Sequence, residues 1–190
     1  MSIFRWIIAA LWLLFIVYWA IAAIRAKRTI KTKSWWMQVV LRGAIIVPVL
    51  IAFRMPAVRN AFGTPLAHMS GGIVRSIAGT VLVGLGIGLA IVARAYLGRN
   101  WGTPMSRKEN PELITGGPYA FIRHPIYSGI ILAMFGSTIA TSLVWLAPVL
   151  LLGAYFIYSA RREEALMSEQ FPQQYRAYMT RTKMLVPFLL

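Results

Sequence analysis

Three apolar runs, Ile3 to Ile24, Gly72 to Leu97 and Ile126 to Tyr158, constrain this chain more than any other feature. Each can cross about 30 Å of hydrocarbon at about 1.5 Å of rise per residue, and backbone inside lipid must satisfy its own polar groups, so each run predicts a helix. The third is too long for one straight span. Small and polar residues interrupt it near Ser137 to Ser142, with Pro148 beyond, so it predicts a tight helical hairpin of two spans. The first run exceeds a signal-peptide h-region and no A-x-A site follows, so it reads as a permanent helix. A further span, about Trp35 to Phe53, opens on the interfacial pair Trp35-Trp36 and contains Pro48, which predicts a kink. Arg42 lies near the end of that span, where it can snorkel to the surface. The expected fold is all-α: a polytopic helical membrane protein with about five transmembrane helices. Residues 1–190 form one membrane domain, with three spans in 1–96 and a polar loop, the hairpin and a C-terminal tail in 97–190.

Charge orients these spans. The 20 lysines and arginines face only five acids, a net charge of +15. Arg25, Lys27, Arg28, Lys31 and Lys33 follow the first run, and Arg94, Arg99, Arg107, Lys108 and Arg123 surround the segment before Ile126. Between Arg54 and Gly71 the only ionisable groups are Arg54, Arg59 and His68. The positive-inside rule then puts the N-terminus outside and the C-terminus in the cytoplasm, and compactness points to a bacterial inner membrane. Basic loops between spans account for the charge without a nucleic-acid partner. The absence of cysteine excludes disulfides, Cys-ligated zinc, iron–sulfur clusters and a thiol nucleophile. There is no HExxH motif or carboxylate set suited to a metal, and nothing signals an obligate protein partner.

Candidate chemistry is concentrated at the cytoplasmic end. All five acids, Glu109, Glu112, Glu163, Glu164 and Glu169, lie in the last two cytoplasmic segments. In Gly116-Gly-Pro-Tyr-Ala-Phe-Ile-Arg-His-Pro-Ile-Tyr-Ser-Gly129, His124 precedes a proline, so a helix is expected to begin at Pro125. Arg123 and His124 then stand at a helix N-terminus, where basic side chains and free N–H groups together suit an anionic guest. Tyr119 and Tyr127 bracket the pair and offer aromatic faces to a heterocycle or a cation. Glu163 and Glu164 follow Arg161 and Arg162, and because adjacent helical residues diverge by about 100°, only one glutamate is expected to face a given pocket. Gly84-Leu-Gly-Ile-Gly88 lies inside an apolar helix with no preceding strand, so it predicts close helix packing, not a dinucleotide loop. Phe171, Tyr175 and Tyr178 fall at i, i+4 and i+7, the spacing of an amphipathic helix on the membrane surface.

Gly117-Pro118-Tyr119, Arg123-His124-Pro125-x-Tyr127-x-Gly129, the apolar hairpin, Glu163-Glu164 and Phe171-x3-Tyr175-x2-Tyr178 together resemble the isoprenylcysteine carboxyl methyltransferase and phospholipid methyltransferase superfamily of integral membrane enzymes. The similarity runs from about Leu97 to Pro187. It implies S-adenosylmethionine as cofactor, bound without a Rossmann fold at the cytoplasmic face. By position the cofactor residues would be Pro111, Glu112, Leu113, Ile114, Tyr119, His124, Pro125, Ile126, Tyr127 and Glu163. Pro111 stands where members often carry His, so only its backbone can serve. Ser159 stands where relatives tend to carry a substrate-binding arginine, which leaves Arg161 or Arg162 as substitutes. Arg162 and Glu164 are the candidate catalytic pair. The implied acceptor is a lipophilic small molecule or lipid-modified substrate arriving through the membrane lipids. Two other functions compete with methyl transfer: an NADPH-dependent membrane reductase of the sterol-reductase type, and a small non-enzymatic membrane protein.

Overall fold

The structure is a computed structural model that describes residues 3–24, 29–30, 51, 55–57, 72–101, 107–108 and 112–187. Most of the expected second span, with Arg42 and Pro48, lies outside these residues. Five helices organise the rest: α1 (Ile3–Ile24), α2 (Ile73–Leu97), α3 (Pro125–Thr141), α4 (Leu146–Gln170) and α5 (Pro172–Arg181). α1, α2 and the helical stretch containing α4 are long and apolar enough to cross a membrane. α3, with 17 residues and about 26 Å of length, is the shorter fourth. The all-α membrane architecture is as expected, apart from a two-residue antiparallel pairing of Thr29–Ile30 with Arg107–Lys108.

The hairpin breaks where the small residues predict. Ser142 is extended, and its Oγ accepts from Val144 N at 3.3 Å to start the one-turn helix Leu143–Trp145 that leads into α4. Pro148 is tolerated because it falls in the first turn of α4, where its missing N–H has no intrahelical partner to lose.

α2 and α3 pack with backbones almost touching. A Cβ on Gly86 would lie 2.5 Å from Gly129 O, and one on Gly79 would lie 2.6 Å from Gly136 O. Two glycine pairs seven residues apart thus set the crossing, while Gly84 and Gly88 have nothing within 4 Å. The close packing expected of the glycine-rich helix is present but uses only part of the Gly-Leu-Gly-Ile-Gly run. α1 joins through Trp12, whose Nε1 donates to Ser137 Oγ at 3.0 Å, and through Arg94, buried at 2% exposure. Arg94 donates from its two Nη atoms to Gly98 O (2.6 Å) and Ala22 O (2.7 Å), beneath the Trp101 ring. These carbonyls lie at the C-terminal ends of α2 and α1, where helix dipoles favour a cation.

α5 forms where the aromatic spacing predicts it, but its tyrosine face is turned into the protein. Tyr175 and Tyr178 are 3% and 4% exposed, because the 116–122 turn offers that face a partner: Tyr178 Oη donates to Tyr119 O at 2.6 Å. The loop charges alone predict the membrane orientation. Reporter fusions are expected to place residue 60 outside and the C-terminus in the cytoplasm, and a C-terminus found outside would overturn that assignment.

Candidate functional site

The polar end of the bundle is built from the 116–124 turn, the start of α3, the last turns of α4 and the segment after α5. Gly117 adopts φ 58° and its Cα lies against the Tyr96 ring, leaving no room for a Cβ. The one-turn helix Gly117–Ala120 delivers Tyr119 into a cluster with Ala93, Ile126, Tyr127, Ala160, Met184 and Leu185. α3 begins at Pro125 as the His-Pro pair predicts, with His124 as its N-cap.

Here the structure departs from the sequence expectation in an informative way. The anion expected beside Arg123 and His124 comes from within the chain. Arg123 Nε donates to Glu164 Oε1 at 2.6 Å, and its Nη1 donates to Thr182 O at 2.5 Å. His124 stands between both glutamates, with Nδ1 3.6 Å from Glu163 Oε2 and Nε2 3.3 Å from Glu164 Oε1. Only one glutamate was expected to face this pocket, and both do. Imidazole presents its nitrogens on different sides, and flexible carboxylate stems from adjacent positions can reach each of them. Tyr127 Oη donates to Glu163 Oε1 at 2.5 Å, and its ring stacks on His124 (centroids 5.5 Å apart, planes 5° apart) and packs against Phe156 at 4.9 Å. His124 Nε2 is buried and lacks an aligned hydrogen bond despite the nearby carboxylate.

The other expected residues divide. Ile126 belongs to the buried cluster, Pro125 is fully buried beside it, and half-buried Ile114 packs against the cluster. Leu113 is half-buried, while Glu112 is exposed and meets Asn100 Nδ2 at 3.4 Å. Pro111 lies outside the described residues. Arg161 and Arg162 are exposed, so the structure does not bring Arg162 together with His124, Tyr127 and Glu163. Burial raises the phenol pKa of Tyr178 to about 12 and raises those of Tyr119 and Tyr175 as well, so all three stay neutral near pH 7.

Sequence reading overlooked the strap formed by Thr182 to Leu185. Arg123 N donates to Lys183 O (2.8 Å) and His124 N to Met184 O (3.0 Å), while Ser128 Oγ donates to Leu185 O at 2.5 Å. The strap thereby satisfies the two backbone donors just before Pro125 and binds the Ser128 hydroxyl beyond it. Its one sequence signal is the apolar Met184-Leu185 following Arg181-Thr-Lys183.

Residues 74–174 match the family model described as phospholipid methyltransferase. The nickel-cobalt-cadmium resistance protein NccN of Alcaligenes xylosoxydans xylosoxydans is 34% identical over 108 residues, 55% of this chain and 50% of that protein. The cobalt-zinc-cadmium resistance protein CzcN of Cupriavidus metallidurans is 32% identical over 108 residues, with the same shares. The chain therefore spans about half the length of the curated relatives it matches. In fold it is similar to the eukaryotic intramembrane Ras methyltransferase ICMT (isoprenylcysteine carboxyl methyltransferase), with a TM-score of 0.56 and 22% identity over 84% of this chain and 55% of that one. With the family match covering more than half of the chain and the polar end assembled from the motif residues, the chain belongs to the phospholipid methyltransferase family, within the superfamily of integral membrane methyltransferases.

Proposed function

We propose that this chain transfers a methyl group from S-adenosylmethionine to a lipophilic acceptor at the cytoplasmic face of the membrane. The observation that carries this reading is the convergence of Glu163, Glu164 and Tyr127 on His124 at the end of an apolar bundle. Two carboxylates among the rings of Tyr127, His124 and Phe156 suit a donor with an ammonium group and a sulfonium centre, and buried His124 Nε2 has an unused hydrogen-bonding position. When bound, S-adenosylmethionine supplies an activated methyl group that leaves by in-line displacement.

The placement of the chain's own residues supports the following roles. Glu163 receives an amino or hydroxyl group, and Tyr127 orients that carboxylate. Ile114, Leu113 and Tyr119 supply apolar wall, with exposed Glu112 at its outer edge. Glu164 and Arg123 hold the His-Pro turn to α4. Arg162, exposed next to the glutamates, orients the polar head of an incoming acceptor. No covalent protein nucleophile is required.

An NADPH-dependent reductase is the competing reading, and Arg123, the arginine inside the cluster, is already bound to Glu164. Binding to detergent-purified protein separates the readings. S-adenosylhomocysteine is expected to bind and NADPH is not, and the reverse result would replace this proposal.

A further inference from the structure

We propose that Ser159, on the α4 face it shares with Tyr155 and Glu163, seats the uncharged, hydrogen-bonding head group of a membrane-borne ligand. This rests on the methyl-transfer reading only in identifying that ligand as the methyl acceptor.

Ser159 is 0% exposed, and its Oγ has no hydrogen-bond partner. A helical hydroxyl can bond to the carbonyl four residues back. This chain uses that bond repeatedly: Thr80 to Ser76 (2.7 Å), Ser137 to Ala133 (2.9 Å), Thr138 to Met134 (3.0 Å), Thr141 to Ser137 (2.7 Å) and Ser168 to Glu164 (2.7 Å). Thr138 is the closest comparison, since it is 1% exposed and lies in a span. Ser159 is buried just as deeply and makes no such bond. An unpaired buried hydroxyl costs about 1 to 3 kcal/mol, a cost alanine would avoid, so packing alone does not account for the serine.

Its position indicates what the hydroxyl meets. Tyr155, Ser159 and Glu163 recur every four residues and share one face of α4. Ser159 is therefore about 6 Å from Glu163 along the axis, towards the apolar half of the helix. Its neighbour Ala160 is fully buried in the cluster with Tyr119 and Tyr127, and Phe156 packs on Tyr127. The hydroxyl thus lies one turn from Glu163, towards the apolar half of α4.

The charges nearby disfavour an anionic head. Among the described residues Arg94 is committed to two carbonyls and Arg123 to Glu164 and Thr182, His124 lies between Glu163 and Glu164, and Arg161 and Arg162 occupy exposed positions. A carboxylate or phosphate beside Ser159 would be buried unpaired, at a cost of several kcal/mol. A phenol, alcohol or thiol can exchange hydrogen bonds with Ser159 without that penalty. Ser159 is enclosed in the structure, so the contact forms as the elements packed on this face of α4 part to admit the head group.

Because the chain has no cysteine, Ser159→Cys introduces its only thiol. In the detergent-purified full chain, N-ethylmaleimide should alkylate that thiol at least about tenfold faster than the one introduced by Thr138→Cys, a packed control. 4-Dodecylphenol should slow the reaction, and dodecanoate should not. Equal inertness of the two thiols overturns the seat, and equal protection by dodecanoate overturns the uncharged head. If Ser159→Cys does not fold, Ser159→Ala serves. 4-Dodecylphenol should raise the wild-type Tm and leave that of Ser159→Ala unmoved, while the ligand-free variant is no less stable than wild type. A persisting shift overturns the proposal. S-adenosylhomocysteine binding is measured separately, so its absence with phenol protection intact would remove the methyl-transfer reading and leave the seat standing.

Discussion

Gly86→Ala and Gly129→Ala are each expected to destabilise the folded bundle by about 3 kcal/mol, the upper end of the usual cost of overpacking. A methyl on Gly86 would stand 2.5 Å from both Gly129 O and Ala133 N, and one on Gly129 would stand 2.5 Å from Gly86 O and 2.8 Å from Ala90 N. These obstacles are helix backbone, which cannot rotate aside as a side chain can, so the helices must separate. Separation would also displace Tyr127, which α3 carries, from Ala93 at the end of α2. Gly84→Ala and Gly88→Ala meet open space and should stabilise the helix by up to about 1 kcal/mol through propensity alone. Thermal unfolding in detergent decides between them. Equal damage at all four positions would mean that the glycine pairs do not set the crossing.

Glu164→Ala and Glu163→Gln should separate stability from binding. Removing the Glu164 carboxylate leaves Arg123, whose side chain is 11% exposed, without its counter-charge, and breaking a buried pair on one side costs about 3 to 5 kcal/mol. The loss should appear first as a lower Tm, because Arg123 also holds the strap through Thr182 O. Glu163→Gln keeps an acceptor for Tyr127 Oη but removes the charge, so its main effect should be on S-adenosylhomocysteine affinity, weaker by about 1 to 3 kcal/mol. His124→Ala should follow Glu163→Gln. Arg162→Ala, on the exposed side of the same turn, should leave that affinity unchanged while lowering turnover. Isothermal titration beside thermal unfolding reads both axes, and a Glu163→Gln variant that binds like wild type would reduce the glutamates to a structural network.

The helices were legible because their causes are local. An apolar run of span length has few alternatives to a helix in lipid, which is why α1 occupies the expected Ile3 to Ile24 and α2 ends at the expected Leu97. The hairpin break and the start of α3 were legible for a similar reason, since Ser142 and the His-Pro step act on their own backbone. The motif residues also identified the end of the bundle that carries the polar cluster.

Which partners those residues take was not legible. Nothing in Gly84-Leu-Gly-Ile-Gly88 says that Gly86 touches α3 while Gly84 and Gly88 do not, because that depends on the rotation of one helix against another. The same holds for the carboxylates. Sequence placed Glu163 and Glu164 at the end of a span about forty residues beyond Arg123 and His124, but only the fold brings both onto one imidazole and turns a basic helix start into a compensated one. The strap and the unpaired Ser159 hydroxyl belong to the same class, since each is defined by what lies across a helix interface. The sequence by itself determined the described apolar helices, the hairpin break and the location of the polar end, because burial in lipid and backbone sterics act along the chain. Tertiary structure alone decided which polar groups neutralise one another and which are left without a partner, because pairing is set by distances of a few ångströms between segments the sequence holds far apart.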